Sequence, residues 1–293
     1  MLIAQNLLGS IVIGMMGGTI YGLLAMGLSL QIGVCRVLNI THGEFAMLGA
    51  VLTFTLSQLG INPLVAPVII GPLLFGLGFL LQTTLFRALK ARAPSPAAFE
   101  GNALLASFGL MYIISYAARL RWGSGLLPTL HWPQPVARIG FVPIPLNLVI
   151  ICAIAVALGI AVYLFLTRSR LGRAIRATAE DQPTAELMGV NTRTILALCF
   201  GLGALLAGIA GTLISIRTPV STSMGFNNTV IALIVVTLGG LGSVPGSFIA
   251  GIIIGIVSML VAGFWVPVLA MPVYYAILMV LLLARPTGIF GKK

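Results

Sequence analysis

Residues Leu146–Leu166 read LNLVIICAIAVALGIAVYLFL, and Thr167–Thr194, directly after them, read TRSRLGRAIRATAEDQPTAELMGVNTRT. The first stretch carries no charge over a length that, wound as a helix, crosses the roughly 30 Å hydrocarbon core of a bilayer. The second is the most polar part of the chain and holds Glu180, Asp181 and Glu186, three of its five acidic residues. One segment belongs in lipid and the other must leave it, so the boundary between them marks a membrane surface.

The same alternation runs through the whole chain. Further apolar runs fall near Leu8–Ile32, Phe45–Leu59, Leu64–Phe86, Ala103–Ala118, Ile195–Ile216, Thr229–Leu241, Ser247–Phe264 and Val268–Leu283. The chain is therefore expected to be all-α, a polytopic transmembrane helical bundle of eight or nine spans, with residues 1–293 forming a single domain. The second and seventh runs are short; a tilted, broken or re-entrant helix fits them, provided protein or a water cavity shields its free backbone groups. Composition agrees: 59% of residues are hydrophobic and 7% charged, against about a quarter charged in soluble domains. Residues Met1–Ser10 have no basic segment or cleavage site of the kind that opens a signal peptide, and read as mature protein. Cys35, Cys152 and Cys199 stand far apart in apolar settings and read as free thiols rather than a disulfide framework.

The net charge of +11 would suggest nucleic acid in a soluble protein, but here the cations lie between apolar runs and report topology instead. If nine spans alternate, Arg36, Arg87, Lys90, Arg92, Arg168, Arg170, Arg173, Arg176, Arg193, Arg285, Lys292 and Lys293 share one side and Arg119, Arg121, Arg138 and Arg217 the other, a split of 12 to 4. The richer side is cytoplasmic, which puts the C-terminus inside and the N-terminus outside. The stretch from Arg119 to Pro145 is then the longest external segment. Its five prolines and its Trp122 and Trp132 suit an interfacial loop, or a landing surface for an external solute-binding partner.

Within Thr167–Thr194 local signals predict a short helix on the cytoplasmic face. Pro183 suits a first turn, Asp181 or Gln182 a cap, Gly189 a stop after about two turns, and Asn191 the cap of the next span. Ala185, Leu187 and Met188 are expected to be presented among charges, as a docking surface.

This segment resembles the branched-chain amino-acid (Liv-type) permease family of ABC importers, whose members carry a run of the form SRxGRAxRAxAEDxxxAxLxGxN. Asn39–Gly49 (NITHGEFAMLG) looks like that family's NFAHGEFYMLG, and Gly239–Gly246 (GGLGSVPG) and Arg285–Gly291 (RPTGIFG) also fit. The resemblance implies a permease in the bacterial inner membrane that works with a second permease, related or a copy of itself, two cytoplasmic ATPase subunits and a periplasmic binding protein. It also implies that Glu180, Asp181, Ala185, Glu186, Leu187, Met188 and Gly189 contact an ATPase. Branched-chain amino acids are the implied solutes, with urea or short amides carried by relatives. Two departures bear on the solute: Ile231 stands about where the family commonly has a lysine, and Ala93–Pro145 matches loosely.

Asn39, His42, Glu44, Asn227 and Asn228 are the candidates for a translocation path or gate. Ionisable groups near membrane depth face protein, a cavity or a pathway. For Glu44 a structural role, accepting bonds from amides at the start of the second span, is equally economical. Gly14, Gly18 and Gly22 line one face of the first span, and Gly251 and Gly255 one face of the eighth; small residues at this spacing let helices approach closely. Gly239, Gly240, Gly242, Pro245 and Gly246 predict a tight turn between two spans. No catalytic or metal set stands out; His42 has only His131 for company. No G-x-x-x-x-G-K-[ST] loop occurs, so neither ATP nor another cofactor is expected on this chain. A stand-alone ion-coupled carrier is the rival reading, but only Glu44 and Glu100 lie near a span to hold an ion.

Overall fold

The computed structural model describes residues 2–128, 130, 135–139, 142–285 and 287–291. Helices α1 (Leu2–Leu30), α2 (His42–Gln58), α3 (Ala66–Leu81), α4 (Arg87–Arg92), α5 (Pro96–Trp122) and α6 (Leu146–Arg168) form the first half. Helices α7 (Arg170–Glu180), α8 (Gln182–Leu187), α9 (Thr192–Arg217), α10 (Met224–Gly239), α11 (Val244–Phe264) and α12 (Ala270–Ala284) form the second. A π-helical turn, Gln31–Cys35, continues α1, and another, Gln82–Phe86, joins α3 to α4. Among the described residues six helices are long and apolar enough to cross a bilayer, counting Ala66–Arg92 as one, and α10 and α12 are shorter apolar helices. The protein is an all-α polytopic membrane bundle.

The most enclosed helix is α9, with α1, α2 and α3 packed around it. The small-residue faces meet as their spacing predicts. A Cβ at Gly18 would stand 2.7 Å from the carbonyl oxygen of Gly251, and one at Gly14 would stand 2.8 Å from that of Gly255. The pairing runs antiparallel, and only glycine lets the two backbones come this close.

Helices α2 and α10, with 17 and 16 residues, reach about 25 Å at 1.5 Å per residue, short of the core thickness. Each is a half-helix that starts inside the bundle. Trp122 Nε1 donates to Thr55 Oγ1 at 2.8 Å, fixing the far end of α2 beside the end of α5. The far end of α10 is the turn at Gly240 (φ 94°) and Gly242 (φ 83°), conformations glycine adopts without steric cost. Ser243 Oγ accepts from Gly246 N at 3.3 Å to cap α11, with Pro245 in its first turn. Gly242 lies against Gly33, and Ile289 N donates to Leu238 O at 2.9 Å, so this turn, the end of α1 and the C-terminal segment share one end of the molecule.

The cations follow these ends. Arg36, Arg87, Lys90, Arg92, Arg168, Arg170, Arg173, Arg176, Arg193 and Arg285 belong to elements at the end with the glycine turn, while Arg119, Arg121 and Arg217 close helices at the other. Lys292 and Lys293 lie outside the described residues, as do His131, Trp132 and Pro133. The expected interfacial loop contains short strands: β2 (Val136–Ile139) pairs antiparallel with β3 (Val142–Pro145), and β1 (Leu126–Leu127) pairs with β4 (Val220–Ser221). Alternating Val136, Val142 and Ile144 favour extended backbone, and in a two-stranded ribbon proline can sit with its nitrogen turned away from the partner.

Candidate functional site

The first candidate site lies where the two half-helices begin. After Arg36 turns the chain (φ 53°), residues 37–41 climb back into the bundle and carry their hydrogen bonds with them. Asn39 Nδ2 donates to Gln31 Oε1 at 3.1 Å, Gln31 Nε2 to Phe200 O at 3.1 Å, and Thr41 Oγ1 to Ser107 O at 2.8 Å. His42 Nε2 meets Leu24 O at 2.9 Å, in the last third of α1. A buried loop of this kind is tolerated only with its polar groups paired.

The N-terminus of α2 then meets that of α10. Gly43 N donates to Thr229 Oγ1 at 2.8 Å, whose hydroxyl donates to Ile40 O at 2.8 Å. Gly43 and Gly225 give the two helices room, since a Cβ at Gly43 would collide with Gly225 O and Thr229 N. The carboxyl of Glu44, 1% exposed, lies directly on Gly225, with Ser115 and Arg119 of α5 as its polar neighbours. It does not fold back onto its own helix, as the structural reading of the sequence expected. The nearby amides are already engaged: His42 N bonds Asn39 O, and Glu44 N and Phe45 N bond Thr41 O. Among the described residues its Oε2 has no partner, and neither has the buried Nδ2 of Asn228. Asn227, by contrast, is exposed, beside an exposed Phe226 at the start of α10. Two helix N-termini, whose dipoles favour negative charge, thus converge on one buried carboxyl and one exposed amide.

The second candidate site is the segment between α6 and α9. Ser169 Oγ accepts from Gly172 N at 2.8 Å and starts α7, which buries Gly172, Ile175 and Thr178 and turns Arg170, Arg173 and Glu180 outward. Asp181 Oδ2 accepts from Thr184 N at 3.3 Å and starts α8, with Pro183 in the first turn. Gly189 (φ 82°) ends it, with Val190 N donating to Ala185 O at 3.0 Å, and Asn191 Oδ1 accepts from Thr194 N at 3.2 Å to open α9. Glu186 accepts from the Thr192 hydroxyl. Gln182 ties the segment to the bundle, its Nε2 donating to Val34 O at 3.2 Å and its Oε1 accepting from Lys90 Nζ at 2.6 Å.

The capped helix forms where the sequence predicts it, but one of its residues faces the wrong way for docking. Ala185 is 3% exposed and packs inward, whereas Leu187 and Met188 are 88% and 81% exposed. The bonds of Gln182 set this rotation, and it leaves an apolar pair at the tip with Glu180, Asp181 and Glu186 exposed around it. Sequence reasoning also missed α7, although a Ser169 cap and small or apolar residues at Gly172, Ile175 and Thr178 follow a helical period.

A multi-pass helical bundle with broken helices meeting in its interior, and a capped amphipathic segment at its basic end, has the build of a membrane transport subunit. The family model described as branched-chain amino acid transport system / permease component matches residues 10–283, and the chain belongs to that family. It is 29% identical over 306 residues to the high-affinity branched-chain amino acid transport system permease protein BraD of Pseudomonas aeruginosa, covering 97% of this chain and 96% of that protein. It is 30% identical over 290 residues to the permease protein LivH of the corresponding Escherichia coli system, covering 94% and 92%. A shorter stretch of 91 residues is 35% identical to the permease protein LivM of E. coli, covering 30% of this chain and 21% of that one. No solved structure matches the chain.

Proposed function

We propose that this chain is a permease subunit of an ATP-driven importer of branched-chain amino acids in the bacterial inner membrane. In this reading a second permease stands beside it, ATPase subunits bind its cytoplasmic end, and a periplasmic binding protein delivers the solute. The observation that carries the reading is the capped α8, whose Leu187 and Met188 project from the basic end of a chain of this family. An exposed apolar pair ringed by acidic residues is a surface that gains by entering a cleft on a partner.

The path runs along the face where α2 and α10 begin. An exposed Asn227 at the start of a half-helix is costly against lipid, so this face belongs to a water-filled path or to the neighbouring permease. Asn227, Asn228 and Glu44 are the residues assigned to it, with His42 and Asn39 holding the re-entrant segment in place.

Extraction of the chain from its native membrane in mild detergent, followed by identification of what comes with it, tests the assembly. An ATPase and a second permease are expected. A chain that transports alone, with neither, would contradict the reading. Competition of labelled leucine uptake by unlabelled leucine, urea and acetamide separates the solutes: leucine should compete, and competition by urea alone would move the chain to the amide-carrying branch.

A further inference from the structure

We infer that a cleft at the basic end of the molecule binds the headgroup of an anionic glycerophospholipid. The cleft, about 420 Å³ in volume, lies between the end of α3–α4 and the start of α9. Arg87 and Lys90 line it from one side and Arg193 from the other, so three cations from two separate elements converge on one hollow. The single acidic residue on its wall, Glu186, is engaged by the Thr192 hydroxyl. Lys90 gives one bond to Gln182 and keeps two donors free.

The walls are amphipathic in a way that suits a lipid. The half-buried Phe79 and the buried Leu196, from the apolar bodies of α3 and α9, line it together with the exposed Arg87, Lys90 and Arg193. Phe79 lies two turns before Arg87, on the same apolar helical segment Ala66–Arg92. Gln82 lines the cleft as well and is 5% exposed. Three cations beside apolar side chains match a ligand that carries a phosphate on an acyl body, as phosphatidylglycerol does. Gln82 and Thr83 belong to the π-helical turn, a distortion that often marks a functional position in a helix.

Basic side chains near the inner surface need no ligand to explain them singly, because they set orientation. Their convergence, from two separate elements, on one concave site that is also lined by apolar side chains is what an orientation signal does not require. Pockets of this kind between membrane helices hold anionic headgroups.

The test is native mass spectrometry of the purified complex, extracted from membranes and exchanged into detergent containing phosphatidylglycerol and phosphatidylcholine. The complex should retain phosphatidylglycerol in preference. In Arg87→Gln/Arg193→Gln its affinity should fall about thirtyfold, each charge near the surface being worth about fivefold, while Arg168→Gln, outside the cleft, keeps it. Binding of inorganic phosphate or glycerol phosphate without lipid retention would assign the cleft to soluble phosphates and overturn the proposal. Unchanged lipid retention in the double variant would overturn it as well, and so would loss of the ATPase with lipid retention intact, which would make the cleft a protein contact.

Discussion

Glu44 is the residue whose replacement says most about the interior junction. Its carboxyl lies on Gly225 beside Ser115, with one oxygen unpartnered. Glutamine keeps the shape and an acceptor, whereas leucine leaves neighbouring donors buried and unpaired, at a cost of about 1–3 kcal/mol. Glu44→Gln should therefore keep most of the uptake and Glu44→Leu should lose it, both measured at equal abundance in membranes. Complete loss in both variants would make the charge itself obligatory. Gly43→Ala probes the same place from the backbone side: a Cβ there would meet Gly225 O and Thr229 N, so α2 and α10 must part. Overpacking of this order costs about 1–3 kcal/mol, and should appear as a lower unfolding temperature of the detergent-purified protein. The stretch Asn39–Glu44 was legible as a place where polar residues meet the membrane. Its partner was not, because Thr229 lies 186 residues further along the chain and nothing local encodes that contact.

At the scale of elements, what was legible is what is local. The cap at Asp181, Pro183 in the first turn and the stop at Gly189 are read from neighbours within four residues, and α8 forms as they dictate. The burial of Ala185 depends on how α8 is held against Val34 and Lys90, and so escaped the sequence. The two substitutions consequently act differently. Ala185→Asp buries a charge inside the protein and should lower abundance, as measured by immunoblot of membranes. Gly189→Val strains a residue at φ 82° by about 1–3 kcal/mol, and should distort the end of α8 while the rest of the chain inserts normally. The glycine faces of α1 and α11 were legible as packing stripes because helical spacing alone puts them on one side. Gly251→Leu should separate those helices and reduce the folded fraction, read as increased proteolysis of the membrane-inserted chain.

For the whole molecule, orientation rests on the 12 to 4 division of cations. Impermeant thiol reagents should label a cysteine introduced at Lys292 only from the cytoplasmic side; labelling in intact cells would reverse the topology. The same division puts α7 and α8 on the cytoplasmic face, where the proposed assembly has its ATPase subunits. In that assembly ATP closure moves the permease only if the two are mechanically joined, and the exposed apolar pair Leu187 and Met188 is the joint we propose. The most direct test is Leu187→Asp/Met188→Asp in the complete complex reconstituted into proteoliposomes, with solute uptake and ATP hydrolysis measured on the same preparation. Uptake should be abolished, with the ATPase either dissociating or hydrolysing ATP without transport; uptake and solute-stimulated hydrolysis at the unmodified level would contradict the coupling role of α8.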